Sequence, residues 1–248
     1  MIANPLLYLL MLAVAAQAPA PAVSGLVTDA ISGQPLRGAT IRLKYSTRRA
    51  IFETESRDDG SFSVSTLPAG EYSIEATHGG YLPATYGEVT EPTAGFFQLP
   101  WFPLGPGKNL TGVRIPMTPA AVLYGRVTDE FGEPVAGATM VALKSTFKDG
   151  ERSRNAVQQT TTNDLGEYRL FQLSPGEYTV AALDASSLGV ALNINGRGED
   201  ALGRTMAWYF PGSLDPHDAQ PIGLRPGESR GGVNFAAFPA RKRRVEGS

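Results

Sequence analysis

The chain contains no cysteine. Disulfides, thiolate metal sites, cysteine nucleophiles and a lipid-modified cysteine are therefore excluded, and stability has to come from packing alone. Histidine is nearly absent as well: only His78 and His217 occur, and neither H-E-x-x-H nor H-x-x-E spacing is found. Metal chemistry needs several imidazole, thiolate or carboxylate ligands at short spacing. No metal and no cofactor is expected, and each histidine reads as a loop residue. An excess of one charge is also lacking: 22 Lys and Arg oppose 24 Asp and Glu, a net charge of −2, so no basic field exists to hold nucleic acid. Beyond the first residues, no apolar run is long enough to cross a membrane.

What the chain does have is apolar surface and turn residues. At 248 residues and 42% hydrophobic content it can build two cores. Its 28 glycines and 19 prolines are scattered as punctuation, an all-β profile. The one long apolar stretch, Leu6 to Ala16, is too short to span a bilayer comfortably and ends in small residues. It reads as a secretory signal cleaved after Ala15 or Ala16 rather than a retained anchor, although no Lys or Arg precedes it. With the Ala/Pro leader that follows, it accounts for residues 1–22 and implies export to the periplasm, cell surface or exterior.

The rest is one unit written twice. Ser24-Gly25-Leu26-Val27-Thr28-Asp29 returns as Tyr124-Gly125-Arg126-Val127-Thr128-Asp129, and Gly33-Gln34-Pro35-Leu36-Arg37-Gly38-Ala39-Thr40 as Gly132-Glu133-Pro134-Val135-Ala136-Gly137-Ala138-Thr139. The stretch DDGSFSVSTLPAGEY from Asp58 returns as NDLGEYRLFQLSPGEY from Asn163, and Leu104-Gly105-Pro106-Gly107 as Leu224-Arg225-Pro226-Gly227. Four collinear blocks define repeats over 23–120 and 121–240. Within them apolar and polar residues alternate, as in Ala39 to Tyr45, which predicts strands with one buried face. Asp59-Gly60 and Leu165-Gly166 predict tight hairpin turns, and Pro-Ala-Gly and Ser-Pro-Gly the reversals that follow. Short strands at this turn spacing predict two tandem Greek-key-type β-sandwiches of immunoglobulin-like architecture.

The pattern G-x-V-x-D-x-x-G-x-P-x-x-G-A, then D-x-G-x-[FY], then L-x-P-G-x-Y resembles the carboxypeptidase regulatory-like domain. That family is a prealbumin- or transthyretin-like sandwich grouped with carbohydrate-binding-like folds. The resemblance implies an accessory, non-catalytic module and no particular ligand. Arg241-Lys242-Arg243-Arg244 within 241–248 reads either as a solvated tail or as the approach to a third unit, because Val245-Glu246-Gly247 has the spacing of Val23-Ser24-Gly25.

Chemistry-bearing motifs are few. Gly227-Glu228-Ser229-Arg230-Gly231 fits G-x-S-x-G, but a nucleophile elbow requires a strand-to-helix turn and a histidine downstream, and none follows. Asp58-Asp59 and Asn163-Asp164 offer oxygen ligands for Ca²⁺, yet beside glycine they read as turn formers. Asn109-Leu110-Thr111 fits a glycosylation sequon. Aromatics gather in the insertions: Phe96, Phe97, Trp101 and Phe102 in the first repeat, Trp208, Tyr209 and Phe210 in the second. Burial at a sandwich end is favoured for them. If exposed, Trp101, Phe102, Trp208 and Tyr209 are the candidate ligand-binding residues, for stacking on sugar rings or a partner's apolar surface. The expected function is protein interaction, adhesion or scaffolding at the cell surface, with polysaccharide binding as the alternative and no catalytic residues.

Overall fold

The computed structural model describes residues 22–46, 51–87, 100–148, 151–183 and 207–238. The signal-like segment, Phe96, Phe97 and the basic C-terminal stretch lie outside them. No α-helix occurs among the described residues. The first unit is built from β1 (Ala22–Asp29), β2 (Thr40–Tyr45), β3 (Ile51–Glu55), β4 (Ser61–Val64), β5 (Gly70–Thr77), β6 (Ala84–Thr85), β7 (Phe102–Leu104) and β8 (Asn109–Met117). The second repeats the order with β9 (Ala121–Asp129), β10 (Thr139–Lys148), β11 (Glu151–Thr161), β12 (Glu167–Leu173), β13 (Gly176–Leu183), β14 (Ala207–Tyr209), β15 (Ile222–Leu224), β16 (Ser229–Arg230) and β17 (Phe235–Phe238).

The sheets correspond strand for strand. The first unit pairs β4-β1-β8 in one layer and β3-β2-β5-β6 in the other, with β7 also on β5. The second pairs β12-β9-β16, with β17 also on β9, against β11-β10-β13-β14, with β15 also on β13. Both units are all-β sandwiches. Period-two burial drives each one: Ile41 and Leu43 of β2 and Tyr72, Ile74 and Ala76 of β5 are water-free and pack with Val113, Ile115 and Met117 of β8. Each large side chain so buried contributes about 1.5–3 kcal/mol. Met140, Ala142, Tyr178, Val180 and Ala182 do the same work in the second core, with Val233 and Phe235.

The turns at Asp59-Gly60 and Leu165-Gly166 differ from the expected hairpins. β3 belongs to one sheet and β4 to the other, so the chain arches across the sandwich there, as β11 to β12 does. Local sequence prescribes the tight turn, with φ of +74° at Gly60 and +72° at Gly166, but pairing partners are set by the rest of the fold. These glycines meet a second demand. The carbonyls of Gly60 and Gly166 accept the N–H groups of Val27 and Val127, and a Cβ would sit 2.5 and 2.4 Å from the oxygens of those valines.

Two side-chain clamps recur. Tyr72 donates its hydroxyl to the Pro68 carbonyl at 2.7 Å, and Tyr178 donates to the Ser174 carbonyl at 2.6 Å. This is the tyrosine-corner arrangement, a ring in the core with its hydroxyl returned to the backbone upstream. Ser56 Oγ accepts from Ala39 N and donates to Leu36 O, while Thr162 Oγ1 accepts from Ala138 N and donates to Val135 O.

The units meet through three residues, Thr118 to Ala120, held from both sides. Leu82 N donates to Thr118 O at 2.9 Å and Ala120 N to Gly80 O at 2.8 Å, both from the first unit. From the second unit, Gly227 N donates to Pro119 O at 3.0 Å. Tyr81 bridges Pro119 and donates its hydroxyl to Asp29 Oδ2 at 2.8 Å, tying the junction to the end of β1.

Candidate functional site

Trp101 lies just ahead of β7 and is 44% exposed. Phe102 opens β7 opposite Tyr72, packs partly buried against the first core and meets Tyr86 edge-on at 5.9 Å. Trp208 of β14 lies opposite Ala182 and packs on the second core. Its neighbour Tyr209 turns to the other face, against Val141, Leu143 and Ala181. Burial raises the Tyr209 phenol above its usual range, partly offset by the Arg154 charge. The four candidates therefore belong to two units, and within β14 alternation sends adjacent aromatics to opposite faces. They do not share one platform. Phe210 also turns inward, edge-on to Phe235 at 5.9 Å.

The two five-stranded sheets differ on the face away from the core. In the first unit that face carries ion pairs, Arg42 Nε to Glu53 Oε2 at 2.7 Å and Lys44 Nζ to Glu75 Oε2 at 2.7 Å. In the second, the equivalent positions are apolar and water-free: Val141, Leu143, Ala156, Ala181 and Leu183.

The residues weighed for chemistry are used structurally. His78 places Nδ1 3.0 Å from Gly79 O and Nε2 3.1 Å from Arg37 O. His217 stands in a short 3₁₀ turn, Pro216–Asp218, in the loop between β14 and β15. Ser229 begins β16, exposed beside Val122. Asp59 Oδ1 accepts from Ser61 N at 2.9 Å, and Asn163 Oδ1 from Leu165 N and Glu167 N at 3.0 and 2.8 Å. Asp58 pairs with Arg37 on the exposed surface. Asn109 Oδ1 accepts from Ala22 N at 3.1 Å. Among the described residues no three His, Cys, Asp or Glu side chains converge as a metal site would require. An open groove of about 770 Å³ runs beside Gly176, Glu177, Arg225, Glu228 and Arg230.

Asp29 and Asp129, the aspartates of the G-x-V-x-D block, cap the turns that follow β1 and β9. Asp29 Oδ1 accepts from Ile31 N and Ser32 N, and Asp129 Oδ1 accepts from Phe131 N and Glu133 N. Hydrogen bonding, from the Ser32 backbone first and from Tyr81 next, holds the Asp29 carboxyl below its ordinary range. The turns so fixed carry exposed apolar tips, Ile31 in the first unit and Phe131, 76% exposed, in the second; Leu165, in the turn capped by Asn163, is 54% exposed.

With this geometry established, the class is a tandem β-sandwich module. Residues 22–96 and 122–193 match the carboxypeptidase regulatory-like domain, and the chain belongs to that family in two copies. In both copies the sandwich continues past the matched span, to Met117 and Phe238. No curated protein matches the chain. Similar solved structures include a streptococcal ancillary pilin, at 16% identity over 90% of this chain and 63% of that one, TM-score 0.39. The TIE protein of Bacillus anthracis is 15% identical over 88% of this chain and 34% of that one, TM-score 0.31. The minor pilin of Streptococcus agalactiae is 12% identical over 91% and 99%, TM-score 0.36. The chain thus spans about two thirds of the first of these and one third of the second.

Proposed function

We propose that this protein is an exported, non-catalytic module of the cell envelope that holds two sandwich surfaces in fixed relation for a protein partner. The observation that carries this reading is the junction. Three residues with hydrogen bonds to both units leave little rotational freedom, which suits a spacer or scaffold. The apolar stretch Leu6 to Ala16 supports export. The exposed Phe131 and Leu165 tips are the surfaces assigned to the partner, since large apolar side chains left in water favour an interface.

Inserting Gly-Ser-Gly-Ser between Pro119 and Ala120 tests it. In the parent, NMR relaxation is expected to give one rotational correlation time for both units, and in the insertion variant two. Separate tumbling of the units in the parent overturns the scaffold reading. Serine replacement of Phe131 and Leu165 together is expected to weaken crosslinking to the partner at least tenfold while leaving the circular-dichroism spectrum unchanged.

A second reading, polysaccharide binding, is favoured by the exposure of Trp101 beside β7, since a free indole face can stack on a sugar ring. A glycan array decides it: saturable binding lost in Trp101→Ala supports the sugar reading, and loss in Trp208→Ala extends it to the second unit.

A further inference from the structure

The second unit departs from the first at one corner where the repeat is otherwise kept. In the first unit Tyr45 ends β2, donates its hydroxyl to Ala69 O at 2.9 Å and packs against Tyr72 with ring centroids 5.0 Å apart. The same register position opposite the corner tyrosine is Lys144 in the second unit, and the position of Pro68 is taken by Ser174. Lys144 Nζ donates to Ser174 Oγ at 2.6 Å. Ser174 Oγ lies 3.2 Å from the Tyr178 hydroxyl, which donates to the Ser174 carbonyl and fixes the serine backbone to the core. The lysine stem crosses Gly176, where a Cβ would meet Cε at 2.9 Å.

An amine and a primary hydroxyl thus touch at a half-buried corner. Among the described residues no carboxylate pairs with Lys144, and burial pushes its ammonium below the ordinary lysine range. A partly desolvated amine free of a carboxylate can take the proton of a hydroxyl held against it. A purely structural cap at this place is already available as tyrosine, as the first unit demonstrates.

We propose that Ser174 is an acyl-accepting nucleophile with Lys144 as its general base, and that the donors are activated esters. This goes beyond the scaffold reading and does not depend on it; a single self-acylation without turnover leaves the module non-catalytic. Neutral Nζ takes the Ser174 proton as Oγ bonds to the ester carbonyl carbon. The adduct then expels an alkoxide or phenolate, which takes the proton back from the Lys144 ammonium. The products are an O-acyl serine, a neutral amine and a free alcohol or phenol. Gly176, which the lysine stem crosses, also borders the open groove along Glu177 and Arg225, and the proposed approach of the donor is from that side. Pro175 follows the serine and has no amide hydrogen to offer a developing oxyanion, so the corner supports a single acylation rather than rapid turnover.

The test uses the full chain with p-nitrophenyl acetate, following p-nitrophenolate release and mapping the acetyl group by mass spectrometry. A burst of one equivalent per chain is expected, with the acetyl on Ser174 and a rate that rises with pH. Ser174→Ala is expected to abolish the burst. Lys144→Arg keeps a cation beside Ser174 but cannot act as a base at neutral pH, and is expected to slow it at least tenfold. Acetyl spread over surface lysines without preference, acetyl on Lys144 itself, or a Lys144→Arg rate equal to the parent's each overturn the proposal. A fluorophosphonate probe needs no variant: failure to label Ser174 in the folded parent overturns it as well.

Discussion

Tyr72 and Tyr178 each spend a buried ring and a hydroxyl on the same corner, and the hydroxyl is the separable part. Tyr72→Phe removes the bond to Pro68 O while keeping the packing, and is expected to lower stability by about 1 kcal/mol in urea titration. Thr162 is costlier to change, because its Oγ1 serves Ala138 N and Val135 O at once. Thr162→Ala should destabilise by about 1–3 kcal/mol, and Thr162→Ser should restore most of it. The aspartates add a pH dependence. Hydrogen bonds lower the carboxyls of Asp29 and Asp59 from the usual 3.8, so their contribution is complete above that value and is lost as pH falls through the lowered one. Thermal melts from pH 5 to 2 should show an acid limb that is shallower in an Asp29→Asn, Asp59→Asn variant. Ser56 and Thr162 were within reach of sequence reading, since both stand four residues before the arch glycine, Gly60 or Gly166. Lys144 was not, because an inward lysine breaks the polar-outward alternation.

At the level of strands, the glycine of the G-x-V-x-D block explains why β1 and β9 accept parallel partners. A Cβ on Gly25 would meet Val113 O at 2.1 Å, and on Gly125 it would meet Val233 O at 2.0 Å. Gly125→Ala is expected to cost about 3 kcal/mol, read as a shift of the urea midpoint, since a strand backbone cannot move aside as a side-chain end can. By contrast the Arg42–Glu53 pair, about half exposed on both sides, should show little coupling in a double-mutant cycle and less at high salt. Alternation made β2 and β5 readable, whereas the run Met140 to Leu143 of β10 is apolar on both faces. Alternation also marked which residues of β2 and β5 face the core. It could not show that β3-to-β4 and β11-to-β12 are arches, because a turn's dihedral angles are local whereas its flanking strands choose partners from the whole chain.

For the molecule as a whole, the junction couples the two bodies through backbone hydrogen bonds at Thr118, Pro119 and Ala120. Tyr81 is its brace, joining Pro119 to the Asp29 turn. Tyr81→Phe removes the bond to Asp29 and is expected to leave both sandwiches folded. Faster amide exchange at Leu82 and Ala120, which bond across the junction, is the measurement that checks it.

The repeated blocks by themselves determined the β class, the two copies and the family, because burial with period two and glycine-dictated reversals are written in consecutive residues. Tertiary structure alone decided which surfaces those copies present. Trp101 is open while Trp208 and Tyr209 lie on opposite faces of one strand. One outer sheet face carries exposed ion pairs while the apolar residues of the other are buried, and Lys144 is set against Ser174 across the sandwich corner. What covers each of these side chains comes from residues tens of positions away, as Ala182 does for Trp208 and Tyr178 for Lys144, and such contacts are fixed by where sheets stack, which no local pattern records.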